Sequence, residues 1–205
     1  MDVSSSVNAD EDRLQRLGLA GALASPEVKA AILSVPSEEV ALAVYEWSGR
    51  FQQDMLMGWR LLGSAADVDS AALEIANSRR SYADFPTALG YSVGFAAGVF
   101  ESAPACLFKT LDVSGDGVNN DGFPPRLAYH NFPLDDVTIN GLTIGGQEDG
   151  LAAYYRSELI KGPGAFVEEA RDFNDFERAM RRKLVRELEA RAIGMLPSAA
   201  PSFGG

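Results

Sequence analysis

The sequence predicts a single α/β domain in which helices cover both faces of a mostly parallel sheet with one antiparallel edge strand. Strand-like and helix-like segments alternate along the chain, which is typical of a parallel sheet wrapped on both sides. Apolar residues make up 46% of the 205 residues, enough for one sizeable core. Residues 173–192 carry apolar side chains at a spacing of four, as expected for an amphipathic helix packed on a sheet.

The elements are predicted in order along the chain. Residues 9–34 are helical, with an interruption at Ser25, which precedes a proline. Val40–Trp47 and residues 54–62 are strands, and their connection is too short for a parallel crossover, so the second is an antiparallel edge strand. Further helices are expected at residues 67–78, 87–101, 124–132, 151–160 and 173–192, and further strands at 105–113, 137–144 and 165–169. The domain covers residues 1–194, followed by a flexible tail at 195–205.

Oxygen-bearing side chains are concentrated at the start of the chain, where Asp2, Ser4 and Ser6 occupy alternate positions. In an extended segment alternate side chains face the same way, so one carboxylate and two hydroxyls can converge on one point. Hard oxygen donors of this kind suit Mg²⁺ or a similar cation. The alternative is a serine-rich chain end without a defined structure.

Two later segments carry the same kind of side chain. Thr87 precedes a glycine-rich apolar helix, where its hydroxyl can cap the helix, contribute to a ligand site, or do both. Asp116 lies in an Asp-Gly turn that follows an apolar, strand-like run. In parallel sheets ligands bind at the carboxyl ends of the strands, which is where the loops of Asp2, Thr87 and Asp116 are expected.

The loop around Asp116 has a second interpretation. Asp112, Ser114 and Asp116 match the first, third and fifth positions of a calcium-binding EF-hand loop. Position 12 of that loop should be glutamate but is Phe123, and the preceding flank is strand-like rather than helical. The EF-hand is therefore the weaker interpretation.

The chain resembles the DUF1194 family, a bacterial group related to von Willebrand factor A (vWA) domains, over residues 2–191. Asp2-x-Ser4-x-Ser6 is similar to the D-x-S-x-S pattern of the metal-ion-dependent adhesion site (MIDAS) of vWA domains, and residues 85–95 resemble their G-x-T-A-I-G-x-A-L segment. The turn at Asp116 resembles their T-D-G element. The segments that carry the family resemblance are residues 2–7 (DVSSSV), 45–49 (YEWSG), 112–117 (DVSGDG), 119–122 (NNDG), 138–142 (TINGL), 153–155 (AYY), 162–167 (GPGAFV) and 181–184 (RRKL).

This resemblance implies a three-layer, Rossmann-like vWA fold with one metal site. The ligands would be Asp2, Ser4, Ser6, Thr87 and Asp116, and the ion would be Mg²⁺ or another hard divalent cation such as Mn²⁺ or Ca²⁺. An open coordination position would accept an acidic residue of a partner protein. The resemblance thus favours a protein-binding module over an enzyme.

The start of the chain departs from the family pattern. In vWA domains the D-x-S-x-S motif follows the first, central strand, whereas only Met1 precedes Asp2 here. The resemblance therefore implies that a first strand is encoded upstream of Met1. Members of the family commonly carry an export signal in that region. With such a signal the protein would be exported or periplasmic, and without one it would be cytoplasmic.

Composition narrows the alternatives further. The 18 Lys and Arg residues against 29 Asp and Glu give a net charge of −11, which argues against nucleic acid and anionic membrane surfaces as partners. The chain has one cysteine, Cys106, and one histidine, His130, which excludes an internal disulfide and metal sites built from several Cys or His. We expect the Cys106 thiol to be buried and the His130 imidazole to lie on the surface. No apolar run is long enough for a membrane span.

The enzymatic alternative is metal-assisted hydrolysis with Asp112 or Asp121 as the base.

Overall fold

The computed structural model describes residues 1–35, 39–146 and 150–194, so the tail expected at 195–205 lies outside the described residues. The strands are β1 (Val40–Trp47), β2 (Gln53–Leu62), β3 (Lys109–Gly115), β4 (Val137–Ile144) and β5 (Val167–Ala170). The helices are α1 (Ala9–Ala24), α2 (Pro26–Leu33), α3 (Ala65–Asn77), α4 (Leu89–Glu101), α5 (Pro125–Asn131), α6 (Leu151–Glu158) and α7 (Phe176–Gly194). None of the helices in the described ranges combines the length and apolarity that crossing a bilayer requires.

The described strands form two sheets. Strands β1 and β2 are antiparallel, with Trp47 opposite Gln53, which confirms the predicted hairpin. Strands β3, β4 and β5 are parallel and lie in that order. Every residue of β4 is buried, as expected for a central strand covered on both faces.

Residues 1–3 connect the two sheets. The backbone N–H of Val3 donates to the carbonyl oxygen of Trp47 at 2.9 Å, and the Trp47 N–H donates to the Met1 carbonyl at 2.9 Å. On the other side, the Asp2 N–H donates to the carbonyl of Ser114 at 3.1 Å. The start of the chain therefore runs parallel to β1 and lies between the ends of β1 and β3.

Two apolar cores lie on opposite faces of the strands, which gives the three layers predicted from the sequence. On one face α1, α2, α3 and α7 pack against β1, β2 and β4 through Leu23, Ile75, Met57 and Phe176. On the other face α4, α5 and α6 pack against β3 and β4 around Tyr155. The predicted α/β fold with helices on both faces is confirmed.

A buried ion-pair network ties α1 to β1. The guanidinium of Arg16 donates to Asp12 at 2.9 Å and to Glu46 at 2.5 Å, and all three side chains are almost completely buried. The second oxygen of Glu46 accepts from the backbone N–H of Ser81 at 2.6 Å. Because buried charges are stable only when they are paired and hydrogen-bonded, this network holds the segment after α3 in one position.

The sequence of α7, in which basic residues alternate with glutamates, indicates a solvated face. Lys183 is the exception, since its side chain is fully buried and forms ion pairs with Asp112 and Glu187. The two carboxylates together raise the pKa of the Lys183 ammonium in spite of its burial. Lys183 thus fastens α7 to β3.

Several predictions of detail are wrong, among them the helix expected at 67–78, which begins at Ala65, and the strand expected at 165–169, which begins at Val167. The strand expected at 105–113 begins only at Lys109, because its ladder begins opposite Val137, the first residue of β4. Cys106 therefore lies before the strand and is half-buried rather than buried. The helix expected from residue 87 begins at Leu89. His130 is exposed in α5, as expected.

Candidate functional site

Three loops meet where the parallel strands end. The first loop follows residues 1–3, the second precedes α4, and the third follows β3. They carry, in that order, the predicted site residues Asp2 with Ser4 and Ser6, then Thr87, then Asp116. The sheet topology thus places these segments at the edge where α/β folds bind ligands.

A chain of hydrogen bonds joins the first loop to the third. Oδ1 of Asp2 accepts from the backbone N–H of Ser4 at 2.8 Å. The Ser4 and Ser6 hydroxyl oxygens are 3.1 Å apart, and the Ser6 hydroxyl donates to Oδ1 of Asp116 at 2.8 Å. Four of the five predicted side chains therefore lie in one connected cluster, although Asp2 and Asp116 are 114 positions apart in the sequence.

The carboxylate of Asp2 is the most strongly perturbed group of this cluster. It is fully buried, and its Oδ2 atom has no hydrogen-bond partner among the described residues. Burial raises the pKa of Asp2 to about 7, with a further contribution from the negative charge of Asp116. Burial also raises the pKa of Asp116. The charge of Asp116 disfavours ionisation of Asp2, and a bound cation would relieve this repulsion.

Thr87 lies beside the third loop. Its side chain is 3% exposed, and Oγ1 would lie 3.6 Å from a Cβ atom placed on Gly117, the neighbour of Asp116. The residue directly before α4 is Ala88, and no side chain of the described residues caps this helix end. The interpretation of Thr87 as a plain helix cap is therefore wrong, and its hydroxyl lies near Gly117.

Gly115 is required by the close packing around Asp2. A Cβ atom at this position would lie 2.8 Å from Oδ2 of Asp2 and 2.6 Å from the hydroxyl oxygen of Tyr155. That hydroxyl is also buried without a hydrogen-bond partner among the described residues. Strand β3 thus ends in a glycine because a side chain there would collide with Asp2 and Tyr155.

Arg80 holds the first loop in place and was not identified from the sequence. Its guanidinium donates to the backbone carbonyls of Val3 at 2.7 Å, Ser4 at 3.1 Å and Val7 at 2.8 Å. These three bonds span the segment that carries the D-x-S-x-S motif. An arginine 73 residues beyond the loop leaves no local signal, so only the tertiary structure reveals it.

The asparagines of the third loop have a structural role. The side-chain oxygen of Asn120 accepts from the Thr87 N–H at 2.9 Å, and that of Asn119 accepts from the Gly90 N–H at 3.2 Å. Asp121 forms an ion pair with Arg50 at 2.7 Å. These contacts tie the third loop to the second loop and to the β1–β2 turn.

The EF-hand interpretation is wrong. Asp112 lies within β3 and pairs with Lys183, so it does not join Ser114 and Asp116 around one point. In the described part of the chain, no group of three or more His, Cys, Asp or Glu side chains forms a metal site. The cluster instead combines two carboxylates with two hydroxyls, and such oxygen donors match hard cations.

Comparison with solved structures shows the same fold in distant proteins. Proximal thread matrix protein 1 from the mussel byssus matches with a TM-score of 0.64 at 16% identity over 92% of this chain. A second structure of that protein, with the same TM-score, has a zinc-occupied MIDAS motif. A von Willebrand factor type A protein from Catenulispora acidiphila matches with a TM-score of 0.61 at 16% identity over 91% of this chain.

This chain corresponds to less than half of each of those proteins, 46% of the mussel protein and 41% of the Catenulispora protein. The comparison with curated proteins gives no match. A family model described as a protein of unknown function (DUF1194) matches residues 1–192. The chain therefore belongs to the DUF1194 family, and its fold is vWA-like.

Proposed function

We propose that the protein is a metal-dependent protein-binding module, with Asp2, Ser4, Ser6, Thr87 and Asp116 as the metal ligands. The observation that carries this proposal is the hydrogen-bonded connection from Asp2 through the two serines to Asp116. It brings two carboxylates and two hydroxyls together, and it leaves one buried carboxylate oxygen without a partner among the described residues. The donor set suits Mg²⁺, with Mn²⁺ and Ca²⁺ as chemically similar alternatives.

The residues divide into two groups by charge. Asp2 and Asp116 would hold the cation electrostatically, while Ser4, Ser6 and Thr87 would supply neutral oxygens. When bound, the cation supplies an open coordination position for an anionic ligand. The amide contacts of Asn119 and Asn120 tie the third loop, which carries Asp116, to the segment around Thr87.

The acidity of the chain explains why a cation would be needed for recognition. With a net charge of −11, the protein repels an acidic partner at long range. A carboxylate from the partner can approach Asp2 and Asp116 only if a cation offsets their charge. Binding should therefore depend strictly on the metal.

Hydrolysis receives no support from the two candidate bases. The guanidinium of Arg50 donates to both carboxylate oxygens of Asp121 and lowers its pKa, which makes this carboxylate a weak base. Asp112 is paired with the fully buried Lys183. Neither side chain is free to accept a proton from a water molecule at the site.

We predict that Asp116→Asn lowers the affinity for Mg²⁺ by at least about tenfold, because one of two charged ligands is lost. The amide oxygen can still accept from Ser6, so the loop should keep its structure. Isothermal titration calorimetry with Mg²⁺, Mn²⁺ and Zn²⁺ measures the effect. The matched control is Asp121→Asn, a carboxylate of the same loop outside the proposed ligand set, which should change the affinity by less than about twofold.

An unchanged affinity in Asp116→Asn would refute the ligand assignment. An equal loss in both variants would indicate that the net charge of the loop, and not coordination by Asp116, determines binding.

We predict that Mg²⁺ affinity falls about tenfold between pH 8 and pH 6, because protons compete for Asp2, whose pKa is about 7 in the metal-free protein. A raised pKa also means that the metal-free fold is stabilised by protonation and loses that stability as the pH rises through 7. Added Mg²⁺ should therefore raise the melting temperature more at pH 8 than at pH 6. Equal gains at both pH values would contradict the buried position of the Asp2 charge.

We predict that a chelator abolishes partner binding and leaves the fold intact. The test is a pull-down from cells of the source organism with Mg²⁺ or with EDTA, with circular dichroism on the same samples. Proteins captured with Mg²⁺ should be lost both with EDTA and with Asp116→Asn, and kept with Asp121→Asn. Metal-dependent turnover in a screen of phosphoesters and peptides, lost with Asp116→Asn, would instead favour a hydrolase.

A further inference from the structure

A basic pocket lies between α1 and the segment that follows α3. Its volume is about 510 Å³, and the ionisable side chains that line it are one aspartate and four arginines, Asp12, Arg13, Arg16, Arg79 and Arg80. Four of the chain's 18 Lys and Arg residues therefore meet at one place, in a protein of net charge −11. The charge at this pocket is opposite in sign to that of the chain as a whole.

Arg16 is the buried member of the pocket, with an exposed fraction of 3%. Its Nε and Nη2 atoms donate to the carboxylates of Asp12 and Glu46. Its Nη1 atom donates to the hydroxyl oxygen of Ser78 at 2.9 Å and has no second acceptor among the described residues. Because Ser78 also lines the pocket, an anion bound there could accept from the remaining N–H of this buried guanidinium.

Arg80 is held in place by neutral acceptors alone. Its Nε donates to the carbonyl of Tyr82 at 2.5 Å, and its Nη2 donates to the carbonyls of Val3 and Ser4. Its Nη1 donates to the Val7 carbonyl at 2.8 Å and has no second acceptor in the described part of the chain. The guanidinium is thus fixed in position, and its positive charge is not neutralised by a carboxylate of the described residues.

The other two arginines are exposed and can turn towards a ligand. Neither Arg13 nor Arg79 forms an ion pair or a side-chain hydrogen bond with the described residues. Arg13 precedes Arg16 by three positions on α1, so the two side chains lie on neighbouring positions of one helix face. Like charges at such a spacing repel each other, and an anion between them would remove that repulsion.

Helix ends do not account for the cluster. Basic side chains are favourable at the C-terminal end of a helix, which is where Arg79 and Arg80 follow α3. Arg13 and Arg16 instead lie in the first half of α1, where the helix dipole favours negative side chains. Their position therefore calls for a negative group from outside the two helices.

The charge balance of the pocket indicates which anion it fits. Four guanidinium groups line it, and the two carboxylates bonded to Arg16 offset two of their charges. The excess of two positive charges matches a doubly charged anion. Guanidinium groups bind phosphate through paired, charge-assisted hydrogen bonds, and the volume of the pocket lies within the range of small-molecule sites.

We propose that this pocket binds a phosphate group, carried either by the free ion or by a small phosphate ester, through Arg13, Arg16, Arg79 and Arg80. None of the five proposed metal ligands lines the pocket, so the two sites are separate. The proposal therefore does not depend on the metal.

The test is calorimetry with inorganic phosphate, in buffer stripped of metals and at a constant low ionic strength. The double variant Arg13→Gln/Arg79→Gln should bind phosphate at least about tenfold more weakly, because two charge-assisted contacts are lost. Both side chains are exposed and unpaired among the described residues, so this variant should fold. The absence of saturable binding to the unaltered protein would overturn the proposal.

The matched control is Arg126→Gln/Arg156→Gln, which removes the same charge at exposed positions of α5 and α6. Their surface ion pairs contribute little, so the affinity for phosphate should change by less than about twofold. An equal loss in the two double variants would mean that net charge, and not the pocket, determines binding, and would overturn the proposal.

A further variant separates this pocket from the candidate metal site. Asp116→Asn should bind phosphate as tightly as the unaltered protein does. A loss of phosphate binding in Asp116→Asn would place the anion on a cation held at the candidate metal site, which would contradict its assignment to the arginines.

Three ligands identify the source of the phosphate group. Tighter binding of glycerol phosphate than of inorganic phosphate would identify an ester as the ligand, and the reverse order would identify the free ion; either result supports the proposal. Acetate is the singly charged comparison. Acetate that binds as tightly as phosphate would contradict the match between the pocket and a doubly charged anion.

Discussion

The hydrogen bonds between residues 1–3 and the ends of β1 and β3 are the interaction on which the rest of the structure depends. They join two sheets whose described strands do not pair with each other directly, and they set the position of Asp2. Because the Asp2 backbone is bound to Ser114, its carboxylate lies beside Gly115 and close to Asp116. The same few bonds thus determine both the architecture and the geometry of the candidate site.

The buried carboxylate of Asp2 destabilises the metal-free fold when it is ionised. Burying an ionised carboxylate costs several kcal/mol unless it is paired, and Asp2 is fully buried without an ion pair to a basic side chain among the described residues. Elsewhere in the described residues the fold pairs its buried charges, as with Arg16 and Glu46 or Lys183 and Asp112. An acidic pair left without such a partner is a feature of binding sites rather than of structural cores.

Local patterns in the sequence predicted most of the fold, and four of the five side chains predicted for the site lie in one hydrogen-bonded cluster. The hairpin of β1 and β2 and the buried strand β4 follow from short apolar runs and loop length, and Asp2, Ser4 and Ser6 follow from their spacing. Arg80 and Lys183 could not be found in this way, because their partners lie about 70 positions away in the sequence. The late start of β3 depends on where β4 begins, which is again a property of the pairing and not of the segment itself.

The most direct test of the account is a crystal structure with Mn²⁺, whose anomalous scattering locates the ion independently of the protein density. The account predicts one peak enclosed by Asp2, Ser4, Ser6, Thr87 and Asp116, which disappears in crystals of Asp116→Asn. A peak bound elsewhere, or no peak at saturating Mn²⁺ with Asp2 and Asp116 in their present positions, would contradict it.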